Sequence, residues 1–345
     1  MAKRRARERE ESIEEKPPRP VRFDELAGHS AQVAYVSKAL AREVLPQAVL
    51  LTGPQGTGKH TLAVMAAAAL ECTSGGPGAC GVCGPCQKVA RDLHPDVRNI
   101  TCAIEGGKQK TQIVIDQVRE DIIHPMDLPP YEGRRLVFII DPADALNKNA
   151  QNALLKSLEE PPWYVNFFLV TANPVGLLPT VRSRCHEVAL HPLRRKDMES
   201  FIARRSLQFE DLDLALGMAA GSPARLLSLD ASENETQIRT AVALLSGGLS
   251  IKAYADLAPG LDAFAKTDPK DALALVMGLL RDALRVAHGE APLVHQGLRE
   301  DLSDIVKARG IEGLQAMGER LSEAPAHLVR NVNPRLMWER IFLVP

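Results

Sequence analysis

The chain has 345 residues with 42 Lys+Arg against 43 Asp+Glu, a formal net charge of -1, 45% hydrophobic and 4% aromatic residues. That composition excludes wholesale disorder, a collagen-like chain and a uniformly basic nucleic-acid coat, and it leaves few rings for a base-stacking surface. At roughly 100–200 residues per domain the length allows about two or three domains.

Residues 1–20 are nearly all charged or Pro and read as a mobile tail. Its basic run at Lys3, Arg4, Arg5, Arg7 and Arg9 is offset by neighbouring acids, so a solvated tail is the expectation and DNA contact the alternative. No apolar h-region follows it, and no stretch approaches the roughly 18 apolar residues of a membrane span, so a cytoplasmic location is expected.

Ordered structure is expected from Val21. Gln47–Thr52 is a short apolar run, a buried-strand pattern, followed by the turn Gly53–Lys59 and an alanine-rich helix over 61–70. Helical spacing returns over 112–123. A second buried strand spans 135–141, a helix 149–160 ends at Pro161-Pro162, and a third strand spans 166–171. Strands alternating with helices predict a parallel sheet covered on both faces. Beyond His191-Pro192 the strand signal disappears. The division expected is an α/β domain over 21–190, a small helical lid over 191–234 and an all-α domain over 235–345. Trp338 falls in a helical run and is expected in a core.

Gly53-Pro54-Gln55-Gly56-Thr57-Gly58-Lys59 fits the phosphate loop G-x-x-x-x-G-K between a strand and a helix. Gly53, Gly56 and Gly58 let successive N–H groups face one concavity, and Lys59 would reach phosphates there. The next position normally supplies a Mg²⁺-binding hydroxyl; here it is His60, a poor ligand for a hard cation. The second strand ends at Asp141, able to hold metal-bound water, but Pro142 stands where a water-polarising carboxylate would follow. Asp144 is the substitute candidate, although an N-cap is its expected role. ATP binding is therefore doubtful and hydrolysis is expected to be absent.

Cys72, Cys80, Cys83 and Cys86 supply four thiolates from the Gly-rich segment 72–86. In a reducing compartment this spacing predicts a closed structural Zn²⁺ site; an iron–sulfur cluster or free thiols are the alternatives. Cys102 and Cys185 lie outside the cluster and are expected to be ordinary buried thiols.

Three segments together carry a resemblance: the four-Cys insert after the phosphate-loop helix, the run from Asp141 through Glu159-Glu160-Pro161-Pro162, and Leu178–Cys185 with its Ser183-Arg184-Cys185. They resemble the bacterial clamp-loader branch of the AAA+ ATPases over roughly residues 22–230. The resemblance implies an AAA+ P-loop domain, a lid and a C-terminal collar. It implies that Arg184, positioned by Ser183, is an arginine finger reaching a neighbour's ATP, and that Thr171 holds a nucleotide-sensing position. It also implies gamma/tau and delta subunits as partners, with a sliding clamp and primed DNA engaged through the assembly. The changes at His60 and Pro142, and Arg225 standing one place late in Gly221-Ser222-Pro223-Ala224-Arg225, set this chain apart from intact motor members. A working motor, or a zinc-stabilised DNA-binding protein, are the rival readings.

Overall fold

The computed structural model describes residues 18–105, 108–209, 212–228, 231–247, 258–262, 264–265, 269–292, 295–329 and 333–343. Most of the expected N-terminal tail lies outside them. The chain divides into two compact units, Met1–Leu193 and Arg194–Pro345.

In the first unit the elements run α1 (Ser30–Ala41), β1 (Ala48–Thr52), α2 (Lys59–Glu71), α3 (Gly84–Ala90), β2 (Val97–Ile100), β3 (Ile104–Glu105) and β4 (Lys108–Gln109). A helical stretch over 115–126 follows, then β5 (Leu136–Ile140), α4 (Lys148–Glu159), β6 (Val165–Thr171), α5 (Pro179–Arg182) and β7 (His186–Ala189). Five strands pair in parallel in the order β2-β5-β6-β1-β7, while β3 and β4 form a separate antiparallel pair.

Alternation explains why the central strands are apolar along most of their length. Val49, Leu51, Val137, Ile139, Phe168 and Val170 face a core completed by α2, whose small residues Ala63 and Ala66–Ala68 permit close approach. Leu50, Phe138, Ile140, Phe167 and Leu169 face the opposite core, with Leu154 and Leu158 of α4. A strand buried on both faces has no polar side to show.

Three of the five parallel strands match the runs expected from sequence. The other two, β2 and β7, are edge strands with exposed positions, and Val97-Arg98-Asn99-Ile100 and His186-Glu187-Val188-Ala189 lack an apolar run. Helix α1 is a further addition. The segment expected as a Gly/Cys loop includes the first residues of α3, which carries Cys86.

The second unit is helical among its described residues: α6 (Arg195–Arg205), α7 (Leu212–Ala219), α8 (Pro223–Leu227), α9 (Ala231–Ser246), α10 (Pro269–Ala287), α11 (Arg299–Val329) and α12 (Pro334–Leu343). Trp338 is 0% exposed, stacked on Phe342 and edge-on to Phe264, which places it in the core as expected. Gly310, at φ 66, breaks α11. The preceding Arg309 donates to the carbonyls of Leu244, Leu245 and Phe342 near the ends of α9 and α12. Arg309 thereby satisfies carbonyls that a helix end leaves free.

Candidate nucleotide loop, metal centre and Ser-Arg-Cys turn

The phosphate loop connects β1 to α2, with Gly53, Gly56 and Gly58 at φ 133, 77 and 99. These are conformations that side chains rarely adopt. Gly53 is required for space as well: a Cβ there would collide with the Leu190 carbonyl oxygen, just beyond β7. The loop, Asp141 after β5 and Thr171 at the end of β6 all lie at the carboxyl ends of neighbouring parallel strands. This is where open α/β sheets place ligands.

At this end of the sheet Lys59, Thr171 and Asp144 find partners within the chain, whereas His60 Nδ1 stands close to Asp141 without a well-formed hydrogen bond. Lys59 is only 6% exposed, and its Nζ donates at 2.7 Å to each of the Gly53 and Pro54 carbonyls of its own loop. Burial pushes its ammonium below the ordinary lysine value, while Asp141 and Asp144 pull the other way. His60 Nδ1 lies 2.9 Å from Asp141 Oδ2. Thr171, 1% exposed, donates to Asp144 Oδ1 at 2.6 Å and accepts from the Asn173 N–H at 2.9 Å. The expected N-cap role of Asp144 is corrected. Asp144 sits in a short turn before α4, and Asn147 caps that helix by accepting the Ala150 N–H at 2.9 Å. Asn147 was findable as an Asn just before a helical run.

The Ser-Arg-Cys turn follows α5. Arg184 donates from Nη1 to the Thr180 carbonyl at 2.9 Å and from Nη2 to Glu159 Oε2 at 3.1 Å, and its side chain is 29% exposed. Ser183 Oγ donates to the same Thr180 carbonyl at 3.1 Å. Burial pushes the Cys185 thiol up to about 12, so it is a neutral packing residue at neutral pH. Sequence reasoning did not single out Gln151. Its amide donates to the Leu146 and Gly176 carbonyls and accepts the Leu178 N–H, fastening the segment before α5 onto α4.

Cys72 ends α2, Cys80 and Cys83 lie in the loop, and Cys86 lies in the first turn of α3. Their sulfurs are all within 4.8 Å of one another, so this group can hold a metal ion. Four sulfurs at Zn–S distances of about 2.3 Å would stand slightly closer together than that. The surroundings favour thiolate: the Cys80 N–H donates to Cys72 Sγ at 3.4 Å and the Cys83 N–H to Cys80 Sγ at 3.3 Å. A hydrogen bond from Ser74, then the Val82 and Cys83 N–H groups, lowers the Cys80 thiol to about 5. Burial pushes the Cys86 thiol up, the opposite direction, and a bound cation would reverse that. Donor type, number and spacing all fit a closed four-thiolate centre with no open position for catalysis.

Comparisons with known proteins find family models and relatives for most of the chain. Residues 28–194 match the family model described as DNA polymerase III, delta subunit, and residues 250–344 match the model described as DNA polymerase III, delta subunit, C terminal. A DNA polymerase III subunit delta' of Pseudomonas aeruginosa is 38% identical over 196 residues, 56% of this chain and 58% of its own. A gamma/tau subunit of Mycobacterium tuberculosis is 32% identical over 264 residues, 72% of this chain and 44% of its own. The chain thus spans about half the length of these curated relatives. A solved gamma subunit-related protein of Thermotoga maritima aligns over 89% of this chain and 97% of its own, at 19% identity and a TM-score of 0.46. With both family models matched in chain order around a P-loop sheet, the chain belongs to the DNA polymerase III family of clamp-loader subunits.

Proposed function

We propose that the chain is a delta-prime-type subunit of a DNA polymerase III clamp loader, a non-hydrolysing member of the holoenzyme. It assembles in the cytoplasm with gamma/tau and delta subunits, and the complex uses ATP to place the ring-shaped sliding clamp on primed DNA. Residues 21–190 form its AAA+ domain, 191–234 a lid and 235–345 a collar domain that holds the assembly together. Zn²⁺ at Cys72, Cys80, Cys83 and Cys86 has a structural role.

The observation that carries this reading is the replacement of the metal-binding hydroxyl by His60 beside Asp141. His60 occupies the hydroxyl position and contacts Asp141, while Lys59 is folded onto its own loop carbonyls. The chain's contribution to ATP chemistry is then Arg184, supplied in trans from the turn that Ser183 shares. A planar, permanently charged guanidinium suits a γ-phosphate, and such fingers are worth roughly 10³–10⁵ in rate.

The test is reconstitution with a gamma/tau ATPase and a delta subunit. Arg184→Ala should leave assembly intact and cut hydrolysis at the site it serves by about a thousandfold or more, with clamp loading falling alongside. Unchanged hydrolysis and loading would overturn the reading. The gamma/tau match over 72% of the chain, together with the retained Lys59, favours one rival: a working ATPase. That rival requires the isolated chain to turn over ATP and to lose turnover on Lys59→Ala.

A further inference from the structure

Arg184 does not project freely from its turn. Its backbone is fixed by the Arg184 N–H to Val181 carbonyl bond at 3.2 Å and the Cys185 N–H to Arg182 carbonyl bond at 3.2 Å. Its side chain bridges two anchors, the Thr180 carbonyl and the Glu159 carboxylate. Glu159 is the last residue of α4, which Pro161-Pro162 prevents from continuing. The guanidinium therefore rests at the negative end of a helix as well as beside a carboxylate. Helix α4 holds the whole segment at two points, with buried Gln151 fastening residues 176–178 and Glu159 receiving the arginine beyond α5.

We infer that Glu159 is a positioning residue for Arg184: it parks the finger against its own chain, and an incoming anionic phosphate displaces it. This rests on the reading of Arg184 as a finger given above. Magnitudes decide the character of the contact. Glu159 is 57% exposed, and exposed ion pairs contribute about 0.2–1 kcal/mol, roughly a 1.4- to 5-fold bias. A finger's contribution exceeds that by orders of magnitude. The pair keeps Arg184 from wandering yet gives way to a γ-phosphate.

The first arm of the test uses the isolated full chain. Guanidinium rotation of Arg184, read by ¹⁵N NMR, should be slow, and Glu159→Gln should speed it roughly 1.4- to 5-fold. Free rotation in the unaltered chain would overturn the proposal whatever the complex does. The second arm uses the reconstituted complex. Glu159→Gln should lower the apparent KM for ATP by a similar factor at low salt, with the change carried by KM rather than kcat. At about 0.5 M salt, where screening acts over on the order of 4 Å, the difference should vanish. In an Arg184→Ala background the Glu159 substitution should change nothing. A loss of kcat instead, an effect that survives without Arg184, or an unaltered KM at low salt would each refute a parking role. Failure of the finger itself is read separately, from Arg184→Ala alone.

Discussion

His60 Nδ1 stands 2.9 Å from Asp141 Oδ2, joining the residue after the phosphate-loop lysine to the carboxylate at the end of the second central strand. In an intact Mg-nucleotide site those two places would hold a hydroxyl and an acid around one cation. Here an imidazole and a carboxylate stand against each other instead.

Restoring the hydroxyl alone should therefore give back binding without chemistry. His60→Ser frees Asp141 and is expected to raise Mg-ATP affinity measured by calorimetry. Steady-state hydrolysis should remain at background, because Pro142 still occupies the position of the water-polarising carboxylate. Hydrolysis restored by this one substitution would show that the second defect is tolerated.

Metal removal should loosen a defined part of the first unit. The cysteine module is tied to the segment before α1 by the Arg19 N–H to Ala90 carbonyl bond at 2.7 Å, and to α1 itself by the Ser37 hydroxyl to Pro77 carbonyl bond at 3.0 Å. Phe23 packs so closely that a Cβ on Gly78 would stand 2.9 Å from its ring. Farther along, His29 Nε2 lies 2.9 Å from the Thr57 carbonyl of the phosphate loop. Chelation, or Cys83→Ser, is expected to speed amide exchange over 19–29 and 72–90 by about tenfold or more, a loss of at least ~1.4 kcal/mol of local stability. Peptides from β5 should be unaffected, and metal analysis should find about one ion per chain before treatment. Uniform loosening of the unit would contradict this.

Gln151→Ala leaves two carbonyls and one N–H without their partner in a buried setting. At about 1–3 kcal/mol per unsatisfied group, and allowing for non-additivity, the expected cost is about 2–4 kcal/mol. For a unit of this size that lowers the melting temperature by roughly 4–16 °C. Gln151→Glu keeps only the acceptor, so thermal denaturation should place it below the unaltered chain as well.

His94 gives a pH dependence of known sign. Its side chain is buried, 3.7 Å from Glu132 and on the same side as Lys88, beside the turn that Asp96 pins by accepting the Tyr131, Glu132 and Gly133 N–H groups. Burial lowers its pKa below the ordinary value of 6.5, with Glu132 opposing. The unfolded chain then binds the proton more readily, so the stability His94 contributes is complete above pH 6.5 and falls as the pH drops below it. Glu71 runs the other way: burial raises it to about 7, and its contribution fades as pH rises through that value. Urea midpoints at pH 7.5 and 5.5 for the unaltered chain and His94→Gln separate the two, and the variant should lose less on acidification. An equal loss would remove His94 as the cause.

The sequence by itself determined the P-loop, the four-thiolate group, the three apolar strands and the helical C-terminal part. Each of these is written in local spacing: glycines before a lysine, cysteines at two-residue intervals, runs apolar enough for burial on both faces. Edge strands β2 and β7 were not legible, because a half-exposed edge needs no continuous apolar run. The tertiary structure alone decided what the polar residues do. Asp144 meets Thr171 across 27 positions, Glu159 meets Arg184 across 25, and Gln151 reaches residues 25 and 27 positions away. No local pattern specifies such pairs, because a hydrogen bond depends on where the sheet and α4 bring two groups together, not on how far apart they stand along the chain.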